Sequence, residues 1–306
     1  MHLTTYLSAP SFQSPTKLIQ NFPTRSTILS SKFLSNHFIF LSKLSTLTSF
    51  TCSYSKNKNT NDDDIFQEFS VLSSEVAWEE GSIWSTMGLY FFSLHIPLSF
   101  GGLSVVAKIM NQAVLDPQIE AVSILLIQTI ELCGAFSLLK YTAKPNYKLA
   151  SFFQGSKFSK ERNWVQAAAV GFGLLALLAL LTSFLADRLI GPKDVNNPIL
   201  KDIISSGSVS GGAVIIVYFF VTPFLEEIVY RGFLLTSLAS RMKWQQAVII
   251  SSCIFSVAHF SNENSFQLFI IGCILGCSYC WSGNLSSSFV LHSLYNAATL
   301  MVTVFS

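Results

Sequence analysis

A chain of 306 residues that is half hydrophobic and only 12% charged lacks the polar surface of soluble domains, which carry about 25% charged residues. The six cysteines form no spaced pair-of-pairs, which excludes a disulfide scaffold, and no phosphate loop, dinucleotide fingerprint or basic nucleic-acid stripe appears. The composition points to an all-α polytopic membrane protein.

The formal net charge of +2 conceals two unlike segments. Residues 1–61 hold six Lys/Arg, no Asp or Glu, and 21 Ser or Thr, so the remainder carries a net charge of −4. A basic, acid-free, Ser/Thr-rich leader fits an organelle transit peptide, and the abundance of Ser and Thr over Arg favours a plastid. The apolar "FIFLSKL" at 38–44 is too short to span a bilayer. We therefore divide the chain into a transit peptide at 1–55, a soluble N-terminal segment at 56–81 and a membrane domain at 82–306.

A span needs about 20 mostly apolar residues. Such runs lie near 82–107, 118–139, 164–186, 211–238, 244–260, 266–281 and 285–305, giving about seven transmembrane helices, within a range of six to eight because the fifth and sixth are short. The loop between the second and third carries Lys140, Lys144, Lys148, Lys157, Lys160 and Arg162 against Glu161 alone. The positive-inside rule places it on the side of insertion, the stroma in a plastid. Alternation then puts the mature N-terminus and the Arg241/Lys243 turn on that same side.

The polar groups buried in these runs are few. His95 lies in the first run and Glu131 midway in the second, where packing or snorkelling is the expectation. Cys273, Cys277 and Cys280, spaced with Gly272 and Gly276, read as a small-residue helix interface. The fourth run contains "VTPFLEEIVYRGFLL" at 221–235, although a charge at the centre of a membrane helix costs about 2.5–3.5 kcal/mol on insertion scales. Glu227 and Arg231, four apart, fall within about 40° on one helix face, whereas Glu226 is about 140° from Arg231. Arg231 should pair with Glu227 and leave Glu226 without a cation in its own helix, either free for proton transfer or a neutral acid hydrogen-bonded to a neighbouring helix.

The fifth run ends in "FSVAHF", and the seventh contains "LHSLYNAA", with His292 and Asn296 on one face. A base, two imidazoles and an amide are the parts of a hydrolytic site, which activates water and then stabilises an oxyanion. Glu226 and His259 are equidistant from the Met242–Lys243 turn, about 24 Å along the helices. His292 lies only about 12 Å into its own span. All three levels coincide only if the fourth and fifth helices project about two turns past the bilayer, where "TSLASRMKWQQ" is polar enough to be wet.

These residues resemble the motifs of the CPBP family, the CAAX protease and bacteriocin-processing group of intramembrane endopeptidases. "EEIVYRG" is similar to its EExxxR motif, "FSVAH" to FxxxH and "HSLYN" to HxxxN, in family order within 211–306. The resemblance implies a plant plastid-type member related to type II CAAX prenyl proteases. In such a member Glu226 and His259 activate water, Glu227 and Arg231 form a supporting pair, and His292 with Asn296 stabilises the oxyanion. No fourth metal ligand is evident, so a glutamate-only mechanism is preferred. If a divalent metal such as zinc is bound, its candidate ligands are Glu226, His259 and His292. The expected partners are the lipid bilayer and a peptide or membrane-protein substrate, with no nucleic acid, and the expected location is a thylakoid or inner-envelope membrane. Removal of the last three residues of prenylated proteins is the related reaction, although a transit leader takes a protein away from the usual prenylated pool. The alternative is a non-proteolytic plastid membrane factor of the same fold that acts by binding.

Overall fold

The computed structural model describes residues 69–72, 77–154, 162–189, 198–261 and 264–305. The transit peptide read at 1–55 and most of the segment 56–81 lie outside the described residues. Among the described residues every regular element is a helix, because a single span satisfies its backbone polar groups internally only in that form. In chain order these are α1 (Gly81–Ile109), α2 (Pro117–Thr142), a short 3-10 helix (Leu149–Phe153), α3 (Trp164–Leu189), α4 (Pro198–Ser205), α5 (Ser208–Ala239), α6 (Trp244–Ala258), α7 (Ser265–Ser282) and α8 (Leu285–Phe305).

Six of them, namely α1, α2, α3, α5, α7 and α8, are long and apolar enough to cross a membrane. α6, the expected fifth span, has 15 residues and reaches about 22 Å, short of a hydrocarbon core of about 30 Å. α4 was not anticipated, since eight residues are too few to register as a span. It packs Leu200 and Ile203 against Ala121 of α2, Ala213 and Val214 of α5, and Leu300 of α8. Local chemistry sets several helix ends. The Asp116 carboxylate accepts from the Gln118 amide at 3.0 Å ahead of Pro117, capping α2, and Gly283 ends α7 at a left-handed φ of 62°.

α1 and α5 are not uniformly α-helical. Phe91–Phe100 of α1 winds in wide π turns around Pro97, which lacks an amide hydrogen and clashes with the carbonyl four residues back. α5 widens twice, at Val217–Val221 just before Pro223 and again at Glu227–Leu235. Such turns recur at functional sites.

The segments expected on one side of the membrane do meet at one end. The Trp78 indole donates to Thr142 Oγ1 at 3.2 Å, and the Lys144 amide donates to the Ala77 carbonyl at 2.9 Å. Arg241 donates to the Trp78 carbonyl at 3.4 Å, and Asn284 donates to the Phe153 carbonyl at 2.9 Å. Arg162 donates to the carbonyls of Phe69 and Trp281, and Phe69 stacks on Trp244. Together these residues form a protein collar around the end of α5. Trp78, fully buried, meets Phe233 edge-on at 4.8 Å, and Phe152 lies over Gly232. Thr236, Ser237 and Leu238 are therefore buried in protein, where a wet segment was expected. The interface of small residues forms as anticipated: a Cβ on Gly272 would lie 2.9 Å from Ser252, and one on Gly276 would lie 3.2 Å from Val248. α6 and α7 thus pack backbone to backbone.

Candidate active site

The paired glutamates sit at a change of helical pitch. Glu226 closes the α-helical stretch Thr222–Glu226 of α5, and Glu227 opens the second wide stretch. Both are buried. Glu227 and Arg231 remain an i,i+4 pair, with Nη1 donating to Oε1 at 2.9 Å, and Arg231 is only 1% exposed. The same guanidinium donates to the Gly272 carbonyl at 3.4 Å and lies 4.4 Å over the Phe255 ring, a cation–π contact in a dry setting. Arg231 is thus committed to Glu227, α7 and Phe255.

Two histidines reach the glutamates from other helices. His292 of α8 places Nδ1 2.9 Å from Glu227 Oε1. A carboxylate paired to arginine accepts, so Nδ1 carries the hydrogen. His259, directly after α6, places Nδ1 2.7 Å from the Phe255 carbonyl, which also only accepts. Both rings therefore turn Nε2 towards Glu226. His259 Nε2 is 3.7 Å from Oε1 and His292 Nε2 is 3.7 Å from Oε2, beyond direct hydrogen bonding. Glu226 Oε2 makes no hydrogen bond although it is buried. Glu226, His259 and His292 thus share one level, as the collar around the lower half of α5 permits.

Asn296, half-buried, donates to the Tyr218 carbonyl at 3.2 Å, and Ser293 donates to the Phe219 carbonyl at 2.7 Å. Both carbonyls belong to the first wide turn of α5, which α8 therefore grips. Glu226, His259, His292 and Asn296 line one cavity of about 90 Å³, room for several waters. Ser99, Gln128 and Thr222 add polar groups to its wall, and Leu103, Ile124 and Ile271 are among its apolar lining. Glu227 and Arg231 lie outside the lining, behind Glu226 and His292. Among the described residues no group of three His, Cys, Asp or Glu side chains is disposed to hold a metal ion.

The first two helices hold a cluster that the sequence reading undervalued. His95 and Glu131 are 4% and 0% exposed, so neither snorkels. His95 Nδ1 lies 2.8 Å from Glu131 Oε1, Tyr90 donates to that oxygen at 2.9 Å, and Ser99 donates to Oε2 at 2.6 Å. The available signal was an acid at mid-span, itself a mark of function in a membrane helix.

Residues 209–298 match the family model described as Type II CAAX prenyl endopeptidase Rce1-like. The chain is 28% identical over 138 residues to the membrane-embedded CAAX protease MroQ of Staphylococcus aureus, covering 42% of this chain and 54% of that protein. It is 31% identical over 96 residues to an uncharacterized protein of Mycoplasma capricolum, covering 30% of this chain and 28% of the relative. It therefore spans about half or less of the length of these curated relatives. No solved structure gives a significant match. The molecule is a multi-pass, all-α membrane protein, and over the helices that carry its three motifs it is similar to the type II CAAX prenyl endopeptidase family.

Proposed function

We propose that this protein is an intramembrane endopeptidase in which Glu226 activates the hydrolytic water. The convergence of two imidazoles on the Glu226 carboxyl, inside a cavity walled by apolar helices, carries this reading, and the family match over 209–298 supports it. A water between Glu226 and His259 loses a proton to the carboxylate and attacks the peptide carbonyl carbon. The carbonyl oxygen becomes an oxyanion, which the Asn296 amide and His292 Nε2 stabilise by donation. His292 already donates from Nδ1 to Glu227, so donation from Nε2 requires the imidazolium form. Glu227, held by Arg231, supports that charge. The tetrahedral intermediate collapses as Glu226 returns its proton to the leaving amine.

The substrate is a peptide or membrane-protein segment that enters the cavity, with CAAX-type processing as the reaction of the related enzymes. The test compares fragment ends in membranes containing the intact chain and Glu226→Gln. Ends that vanish in the variant at unchanged protein level are expected. Identical ends in both would leave the binding-only alternative. Activity should survive extended chelation, and elemental analysis should find no stoichiometric metal. A metal lost and regained together with activity would make both histidines ligands.

The plastid assignment rests on the acid-free, Ser/Thr-rich composition of residues 1–61. Residues 1–65 fused to a fluorescent protein should deliver it to plastids. Cytosolic or secretory fluorescence would remove the assignment.

A further inference from the structure

We infer that Glu131 and His95 form a positioning device for His259: together they cap the C-terminus of α6 from the side and hold the residue that faces Glu226. The inference rests on the peptidase reading only for its kinetic arm. The last carbonyls of a helix have no partner within it. At the end of α6 the His259 and Phe260 amides turn back tightly, donating to the Ser256 and Val257 carbonyls, and Phe260 takes a positive φ of 48°. The next carbonyl, that of Ala258, is met by His95 Nε2 at 3.2 Å. A carbonyl only accepts, so this nitrogen carries a hydrogen. Nδ1 faces Glu131 Oε1 at 2.8 Å, so a further proton lies between these two groups, and the imidazole N–H is presented to a helix C-terminus, where the dipole favours a donor.

Glu131 is itself fixed by donors on both oxygens, from Tyr90 and Ser99 of α1. α1 also touches the residue after His259, since the Phe100 ring meets Phe260 edge-on at 4.9 Å. His259 is thus flanked by Ala258 and Phe260, both held by α1, and its own Nδ1 is committed to Phe255. Neither His95 nor Glu131 lines the cavity, so both act through His259. They are positioning residues.

The test uses the full chain labelled with ¹⁵N-histidine in lipid nanodiscs, with ring resonances assigned by single histidine replacements. Glu131→Gln removes the charge and keeps the shape. His259 ring resonances should move, and kcat should fall towards 10²-fold, the loss a misplacement of about 1 Å can bring, with KM unchanged. His95→Gln can satisfy Ala258 or Glu131 but not both and should shift the same resonances. It also serves as the reading if Glu131→Gln does not fold. The two effects should not add in the double variant, because each breaks the same device. Unmoved His259 resonances in these variants, or a kcat loss that follows only the loss of folded protein, would overturn the inference and leave the pair as packing between α1 and α2. If the wild-type chain cleaves no peptide, the peptidase reading fails by itself, and the His259 resonances alone decide the positioning.

Discussion

Two buried clusters join acids to histidines in this protein, and they differ in how completely they are satisfied. In the α1–α2 cluster, Glu131 receives donors at both oxygens and His95 has partners at both nitrogens. In the α5–α8 cluster, Glu227 takes two donors, from Arg231 and His292, on Oε1 and leaves Oε2 unbonded, whereas Glu226 faces two imidazoles at 3.7 Å, beyond direct hydrogen bonding, and also leaves Oε2 without a hydrogen bond. A satisfied buried network rigidifies its surroundings, and an unsatisfied member stores the cost of its own desolvation. On the proposed mechanism, the contrast separates carboxyls that hold the frame from the one that accepts a proton.

The largest test of this contrast is Glu227→Gln. It leaves Arg231 buried without its counter-charge and should cost about 3–5 kcal/mol, seen as a fall in thermal stability and yield of purified protein. Glu226→Gln should leave both near wild type while activity is lost. Equal yields with equal activity losses would erase the division of roles. Next in size, His292→Ala and Asn296→Ala each remove a proposed oxyanion donor and should lower the rate by about 10²–10³-fold. Residual turnover should remain measurable with a fluorogenic peptide, and complete loss in Asn296→Ala at normal stability would give that amide another task. The smallest effect is on the frame. Glu131→Gln places an amide hydrogen where a donor already points and should cost about 1–3 kcal/mol in thermal or denaturant unfolding. A stability loss in Glu226→Gln as large as in Glu131→Gln would mean that both carboxyls are structural.

What the sequence made legible was what is local or symmetric. Long apolar runs mark spans, and the Glu227–Arg231 pair follows from one helix's geometry. Even the shared depth of Glu226 and His259 follows from their equal distances to one turn. The links with no local signature were not legible. His95 finds Glu131 across 36 positions and Ala258 across 163. Asn296 binds a Tyr218 carbonyl presented by a wide turn that no residue pattern announces. The collar joins residues before α1 to the α5–α6 turn, and this buries the end of α5 that polarity alone marked as wet.

The order of the charges along the chain bears on biogenesis. Lone charges hinder a helix from leaving the insertion machinery for lipid. Arg231 travels with Glu227 in its own helix, so that pair of charges is matched within α5 before α6–α8 exist. The protein partners of Glu131 stand on α1, which precedes α2. In N-to-C insertion, Glu227 and Glu131 therefore each have a partner no later than the helix that carries them. Glu226 must wait for α6 and α8, so the proposed site is assembled only when the last helix arrives, and a chain stalled before α8 carries no completed site into the bilayer.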